Sequence, residues 1–443
     1  MLVMKFGGSS VADAKQIEKV RQIVAGRLAR APLVVCSAHK GVTDLLIAAA
    51  KRAAAGKADA SGIVERHRQI LAEVDADPTS LDAFFRELED LLRGISLVRE
   101  VSPRVLDFVQ SFGERMSVRT IAHCFRRAGM AAEAFDAWEL GFITDDKFGL
   151  ARPLKEYPER MRSAVSARVK GGVVPVVTGF IGKTIGGEIT TVGRNGSDYS
   201  ATVFAAGLGA EECEIWTDTD GVMSADPNLV AGARNIPAMS FAEASELSYY
   251  GGRVLHPSTL IPAIQKNIPV RVLNTNRPDH PGTVITEAGG APIGPVTSIA
   301  YKSNQSVITI SSTSMLGQPG FLARVFDVLG RAKIDVDMIS TSEISVSMTC
   351  TPAPNLIDAV GALEEHGRVS LDSHKSLICI VGQNIKRQRG IGAKVFNALA
   401  QADVNVEMIS HGANNINLSL LVDDSEVKRA VPALHGALFE TAP

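Results

Sequence analysis

Residues Met1–Ser10 read MLVMKFGGSS, and this stretch decides how the first half of the chain is read. An apolar run that ends in Lys5-Phe6 meets Gly7-Gly8-Ser9-Ser10 and then a segment of helical period from Asp13 to Leu28, which predicts strand, tight turn and helix. Such a turn leaves backbone N–H groups at a helix N-terminus, its glycines let a large ligand approach the main chain, and Lys5 adds a full positive charge. The guest this predicts is a phosphate. KFGGSS alone does not decide the matter, because it is neither GxxxxGK[ST] nor GxGxxG and many Gly-Gly turns hold nothing. Gly182-Lys183-Thr184 looks like the end of a P-loop, but it lacks the preceding glycine at the required spacing and is set aside.

Outward from that stretch, short Val/Ile-rich runs (LVMKF, PLVVCSA, GVVPVVTGF, ECEIWTD, IPVRVLN) alternate with amphipathic segments such as Asp75 to Gly94 and Arg104 to Ala128. The pattern predicts an α/β layered domain around a mostly parallel sheet, over residues 1–286. Residues 287–295, EAGGAPIGP, carry no periodicity and read as a linker. Beyond it the chain repeats. MLGQPGFLARVFDVLGRAKIDVDMIS from Met315 aligns without gaps on IKRQRGIGAKVFNALAQADVNVEMIS from Ile385, and Gln318, Gly320, Phe326, Leu329, Met338 and Ser340 all recur 70 positions on. The second copy is one strand short, and Val296 to Tyr301 is a spare strand ahead of the first. The expected arrangement is therefore one unit inserted in the other: residues 304–375 form the first, and residues 296–303 with 376–443 the second.

At 443 residues two or three domains are expected, and 45% hydrophobic with 21% charged residues is a soluble globular composition. A net charge of −2 without a basic run gives no electrostatic support for nucleic acid or an anionic membrane as partner. Cys36, Cys124, Cys213, Cys350 and Cys379 make neither CxxC pairs nor a ligand cluster, so no metal site is expected and a reducing compartment is. No leader and no apolar run of about 20 residues is read, which points to the cytoplasm.

Four further segments carry polar groups at strand ends or loops: CSAHKGVTD, with Ser37 and Thr43; SFGERMS, with Glu114 beside Arg115; TTVGRNGSDYSA, with Arg194, Ser197 and Asp198; and EIWTDTDGVMSADPN, with Asp218, Asp220 and Asp226. Each has an ordinary reading as well: a solvated helix pair for Glu114 and Arg115, an N-cap for Asp198, a plain turn for the acidic loop.

Their order is what resembles a family. KFGGSS, SAHKGVTD, GER, GRNGSDYSA, WTDTDGV and YGGRVLHP together resemble aspartate kinase of the amino-acid kinase superfamily, and MLGQPGFLARVF with VDMISTSEISVS resembles its tandem ACT domains. The resemblance implies a three-layer amino-acid kinase sandwich followed by two ferredoxin-like ACT domains, one inserted in the other. It implies transfer of the γ-phosphoryl of ATP, with Mg²⁺, to the β-carboxylate of L-aspartate, in a homo-oligomer assembled through the ACT domains. By resemblance Lys5 and Asp198 are catalytic, and Ser37, Thr43, Glu114, Arg194 and Ser197 bind substrate, Arg194 its carboxylate and Glu114 its ammonium. Lys5, Gly7, Gly8, Ser9, Thr217, Asp218, Met223, Asn228, Arg253 and Val254 take the nucleotide. Met315, Gln318, Gly320, Phe321, Leu322, Asp337, Ser342 and Glu343 match an effector site, and two acids, Asp337 and Glu343, favour lysine over threonine. Two positions depart from the family's usual pattern: Arg253 stands where lysine is common, and Met223 where an aromatic residue is common, removing a stacking surface. No GxGxxG occurs, so no homoserine dehydrogenase is expected. The competing reading is a non-catalytic amino-acid sensor with a degenerate kinase domain.

The chemistry suits those residues on its own terms. A carboxylate nucleophile titrates near about 3.9 and needs no general base at neutral pH. The obstacle is one anion approaching another, which calls for cations and backbone N–H groups around the transferring group.

Overall fold

The computed structural model describes residues 1–250, 255, 257–290, 294, 296–315, 319–383, 385–411 and 416–440. It divides into two compact units: Met1–Val222 with Pro237–Phe241 and Val254–Gly290, and Met223–Ile236 with Ala242–Arg253 and Ala291–Pro443. Two internal stretches, 223–236 and the described residues from 242 to 250, thus fold with the C-terminal half, inside the range expected for the catalytic domain.

The first unit runs β1 (Leu2–Phe6), α1 (Ala14–Ala25), β2 (Pro32–Cys36), α2 (Val42–Ala54), α3 (Ser61–Glu73), α4 (Asp82–Val98), α5 (Pro103–Arg127), β3 (Ala132–Phe135), β4 (Ile143–Thr144), α6 (Tyr157–Arg168), β5 (Val174–Thr178), β6 (Ile181–Thr184), β7 (Ile189–Thr191), α7 (Gly196–Leu208), β8 (Glu212–Thr217) and β9 (Ala238–Ser240). After α8 (Phe241–Tyr249), it resumes with α9 (Pro257–Lys266), β10 (Val270–Asn274) and β11 (Thr283–Thr286). Eight strands form a sheet of order β3-β5-β2-β1-β8-β10-β11-β9, in which β3 through β10 are mutually parallel; β4, β6 and β7 form a small second sheet. All five runs expected as strands are strands of the large sheet. Leu2, Met4 and Phe6 pack with Ile17, Val20 and Val24 of α1 and with Ile121 and Phe125 of α5 on one face. Helix α1 starts where Asp13 accepts the Gln16 N–H, at 2.9 Å, and α5 where Ser102 accepts the Val105 N–H ahead of Pro103. The helix expected from Asp75 starts only at Asp82. Asp75 takes a left-handed conformation (φ 53°), Pro78 follows, and Asp77 accepts the Thr79 N–H in a turn.

Inside the layer of α2 to α5, His39 and His67 lie ring to ring, 5.4 Å apart, each 1% exposed. His39 Nδ1 meets Val11 O at 2.5 Å, so it carries the proton, and burial pushes the ring down to about 4, against the opposing Val11 hydrogen bond and with Arg66 adding to the lowering. A pKa depressed from 6.5 contributes stability that is full above pH 6.5 and is lost as pH falls toward 4, since the unfolded chain then binds the extra proton. His39→Asn keeps an N–H for Val11 and cannot titrate. Chemical unfolding should show the wild type losing about 2 kcal/mol relative to that variant between pH 7 and pH 5; equal slopes in the two proteins would exclude the burial account.

The second unit contains β12 (Ser298–Ser311), α10 (Phe321–Arg331), β13 (Val336–Thr341), β14 (Ser345–Cys350), α11 (Leu356–Leu363), β15 (Arg368–Val381), α12 (Ile391–Gln401), β16 (Met408–Ser410), β17 (Asn417–Asp423) and α13 (Val427–His435). Its sheet has the order β13-β14-β12-β15-β17-β16. Strands β12 and β15 each serve both repeats. Ser306–Ser311 pair with β14, and residues 305–311 pair with residues 368–375, whereas Ser298–Lys302 pair with Leu377–Val381. Both strands bend where Asn304 and His374 take left-handed conformations, again 70 positions apart. Ile299 packs in the core of the second repeat with Ile380, Leu420 and Leu434. Ala225 and Val230 join that same core, and the Ile299 N–H donates to Ser224 O at 2.8 Å, which is why 223–236 belongs to this unit.

Candidate active site

Because β1, β2, β5 and β8 are parallel, the segments after them (KFGGSS, CSAHKGVTD, TGF and WTDTDG) leave the sheet at one edge. Strand β1 is also where the strand order reverses, with β2 on one side and β8 on the other, the position at which open α/β sheets offer a crevice. Alternation along β1 sends Val3 and Lys5 away from the α1 face and toward α7.

Lys5 Nζ stands 2.5 Å from Asp198 Oδ1, with both side chains about nine-tenths buried. The contact is an ion pair by distance, although the approach lies outside the hydrogen-bonding directions of that oxygen. Asp198 is not the N-cap of α7; Asn195 holds that position at φ 54°, and the Asp198 N–H donates to its carbonyl. The glycine turn is tight against its neighbours. A methyl on Gly8 would stand 3.0 Å from Ala38 O, a backbone atom, so that position holds little more than a backbone, and one on Gly7 would press on the Lys5 ammonium at 3.3 Å. Gly7 N–H donates to Trp216 O, and Ser10 Oγ meets Thr275 Oγ1 at 2.7 Å, fixing the turn to β8 and to the residue after β10. Ser9 is half-buried in the turn.

On the other side, the Ser37 N–H donates to Phe6 O and Ser37 O accepts from Ser117 Oγ, which holds the CSAHKG segment against α5. Thr43 is half-buried in the first turn of α2. Glu114, on α5, is 3% exposed; its Oε1 accepts the Ala38 N–H at 3.1 Å and its Oε2 has no partner among the described residues. Burial pushes this carboxyl up to about 8, against the opposing Ala38 hydrogen bond. Arg115 points elsewhere, over Phe84 and Phe112 and toward Asp136, so the two are not a solvated pair. Ser197 is buried in the first turn of α7, and Arg194 is exposed with no ion pair among the described residues.

Among the expected nucleotide residues, Thr217 closes β8 and its hydroxyl donates to Asp218, which is exposed. Asp220 is spent on Asn274 and Arg277. Met223 and Asn228 lie in the second unit, where Asn228 Nδ2 folds onto Asp226 Oδ1 at 2.9 Å. Arg253 and Val254 lie outside the described residues.

In the second unit Gly320 (φ 86°) opens α10, Phe321 is buried in the first repeat's core, and Leu322 and Glu343 are exposed. Ser342 accepts the N–H groups of Ile344 and Ser345 in a turn, and Met315 is half-buried. Gln318 lies outside the described residues. The Asp337 carboxylate is not free: Lys302 Nζ reaches Oδ2 at 2.8 Å and the Tyr249 hydroxyl donates to Oδ1 at 2.6 Å. Sequence reading missed Lys302 and Tyr249, which lie 35 and 88 positions away and match no motif.

The chain is a phosphotransferase of the amino-acid kinase class with a paired ACT tail. The pattern of the amino acid kinase family matches residues 1–274 and that of the ACT domain residues 308–366 and 378–438. Aspartokinase 2, chloroplastic, of Arabidopsis thaliana is 40% identical over 100% of this chain and 85% of its own length; the lysine-sensitive aspartokinase 3 of Escherichia coli is 34% identical over 99% of both. The structure of E. coli aspartokinase III in complex with aspartate and ADP (R-state) superposes with a TM-score of 0.83 at 32% identity, covering 99% of this chain and 100% of that one. The same enzyme with lysine and aspartate (T-state) gives 0.77 at 32% identity, over 99% of each. The chain belongs to the aspartokinase family, and it is an aspartate kinase. No helix among the described residues is long and apolar enough to cross a membrane.

Proposed function

We propose that this chain moves the γ-phosphoryl of ATP onto the β-carboxylate of L-aspartate, yielding 4-phospho-L-aspartate at the entry to lysine, threonine and methionine synthesis, with lysine as feedback effector at the ACT repeats. The observation that carries the reading is the buried Lys5–Asp198 pair beside the glycine turn at the strand-order reversal. Lys5 and the N–H groups of Gly8 and Ser9 neutralise the equatorial oxygens of the transferring group, while the Gly7 N–H ties the turn to Trp216 O; Asp198, an anion, holds the ammonium in place and does not itself meet phosphate. Glu114 receives the substrate ammonium, Arg194 a carboxylate through its planar fork, and Ser37, Thr43 and Ser197 supply hydroxyls or N–H groups. Thr217 and Asp218 border the nucleotide. The glycine cradle that a Cβ would fill suits a polyphosphate. Mg²⁺ enters on the phosphates of its nucleotide. Free thiols at all five cysteines accord with work in the cytoplasm, and the ACT repeats with assembly into a homo-oligomer.

The test is formation of aspartyl hydroxamate from ATP, Mg²⁺, aspartate and hydroxylamine. No hydroxamate from folded protein would leave only the sensor reading.

Glu114 makes the reading sensitive to pH. An ammonium binds its ionised form, which is the minor form below pH 8, so aspartate binding releases a proton and the apparent affinity rises with pH until about 8. KM for aspartate should fall about eightfold from pH 6.5 to 7.5 while KM for ATP stays flat. A flat aspartate profile would take Glu114 off the substrate ammonium.

A further inference from the structure

Helix α5 carries two buried acids on one face. Asp107 and Glu114 are seven residues apart, roughly 10 Å along the axis and within about 20° of the same direction. Glu114 serves the site described above, whereas Asp107 has no part in it so far. Asp107 is 2% exposed and has no ion-pair partner among the described residues. Its Oδ2 accepts the N–H groups of Gly149 and Thr191, each at 2.8 Å, and its Oδ1 accepts the Thr191 hydroxyl at 2.8 Å. Burial holds its carboxyl above the usual range, with those three hydrogen bonds opposing.

Those bonds join two layers of chain behind Arg194. Thr191 ends β7, three residues before Arg194. In between, Val192 N–H donates to Phe180 O at 3.0 Å, and Gly193 sits at φ 86° with its would-be Cβ 3.1 Å from Gly149 O and 2.8 Å from Leu150 Cδ2. The turn that presents Arg194 therefore rests on the backbone at Gly149 and Leu150, and Asp107 is bonded to both the turn and its support. One rigid helix thus fixes Glu114 directly and Arg194 from behind.

We propose that Asp107 is a positioning residue for aspartate, setting through Thr191 and Gly149 the separation between Arg194 and Glu114 across which the substrate's carboxylate and ammonium are read. This rests on the assignment of Arg194 and Glu114 to aspartate. A misplacement of about an ångström at such a group costs up to about a hundredfold.

Steady-state kinetics of the full-length enzyme decides it, with Asp107→Ala, Asp107→Asn, Thr191→Val, Arg194→Ala and the Asp107→Ala/Arg194→Ala pair. Asp107→Ala should raise KM for aspartate about tenfold with KM for ATP and kcat within about threefold. Asparagine can accept both N–H groups at one atom and donate to the Thr191 hydroxyl from the other, so Asp107→Asn should stay within about threefold of wild type. Thr191→Val, which loses one bond of the three, should raise the same KM by about two- to threefold and stands in if Asp107→Ala does not fold. Because Asp107 acts through Arg194, the double variant should be no worse than Arg194→Ala by more than about twofold. Independent, multiplying effects would overturn the proposal, as would an unchanged aspartate KM in Asp107→Ala or Thr191→Val. If Arg194→Ala itself leaves KM for aspartate unchanged, the substrate assignment fails first.

Discussion

Lys5→Ala lowers kcat by about two to three powers of ten, the scale on which enzymes lose rate when one preorganised electrostatic donor is removed. The expectation follows from where the lysine stands. It lies on a strand buried between β2 and β8, it is 8% exposed, and its ammonium is held against Asp198 in a space that Gly7 keeps open. Nothing else among the described residues brings a buried cation to the glycine turn. Truncation also strands Asp198 as a buried anion, which costs stability on the order of 3–5 kcal/mol. Lys5→Ala/Asp198→Asn separates the two effects: it should recover the melting temperature and leave kcat as low as in the single variant. Hydroxamate formation by purified, folded Lys5→Ala at near wild-type kcat would remove Lys5 from the mechanism.

The contrast between Lys5 and Asp198 shows what could be read from sequence and what could not. Lys5 announces itself because a charged residue ends an apolar strand next to Gly-Gly, and both features are local. Asp198 is locally an ordinary first-turn acid that only the family resemblance singles out, and its pairing with Lys5 needs the parallel sheet to bring β1 alongside α7, 193 positions apart in the chain. The parallel strands were legible as Val/Ile-rich runs, and parallelism alone carries the loops after them to one edge. Asp107 was not legible: a lone acid on an apolar helix gains meaning only when Thr191, 84 positions away, is seen beneath it. The 70-residue repeat was legible as identities, and it persists in the backbone where identities fail, since Lys333 and Asp403 share a left-handed conformation without sharing chemistry. The path of 223–236 into the second unit was hidden, because Ala225 and Val230 are apolar residues that could serve any core. Asp337 and Glu343 could be read as a pair of acids, but not that a lysine and a tyrosine of the same unit already occupy the first of them.

That occupation sharpens the regulatory prediction. The Asp337 side chain is 2% exposed and is bonded to the Lys302 ammonium and the Tyr249 hydroxyl. An effector ammonium must replace the ammonium of Lys302 to reach it, and lysine, with two ammonium groups, can offer one to Asp337 and one to the exposed Glu343. Inhibition requires that lysine bind one state of the enzyme better than the other, a coupling of about 1–3 kcal/mol, or roughly 5- to 150-fold. Asp337→Ala should raise the lysine concentration for half-inhibition by about a hundredfold and remove lysine binding in calorimetry. Uninhibited kcat and both KM values should stay within about twofold, because Asp337 belongs to the other compact unit. Lys302→Met should act in the opposite direction, removing the internal occupant and lowering the half-inhibitory concentration by about tenfold. The two signs together separate a binding role from a general loosening of the repeat, which would weaken inhibition in both variants. If Asp337→Ala stays fully sensitive to lysine, or if threonine binds and inhibits the wild type while lysine does neither, the effector assignment fails and the kinase chemistry of the first unit stands without it.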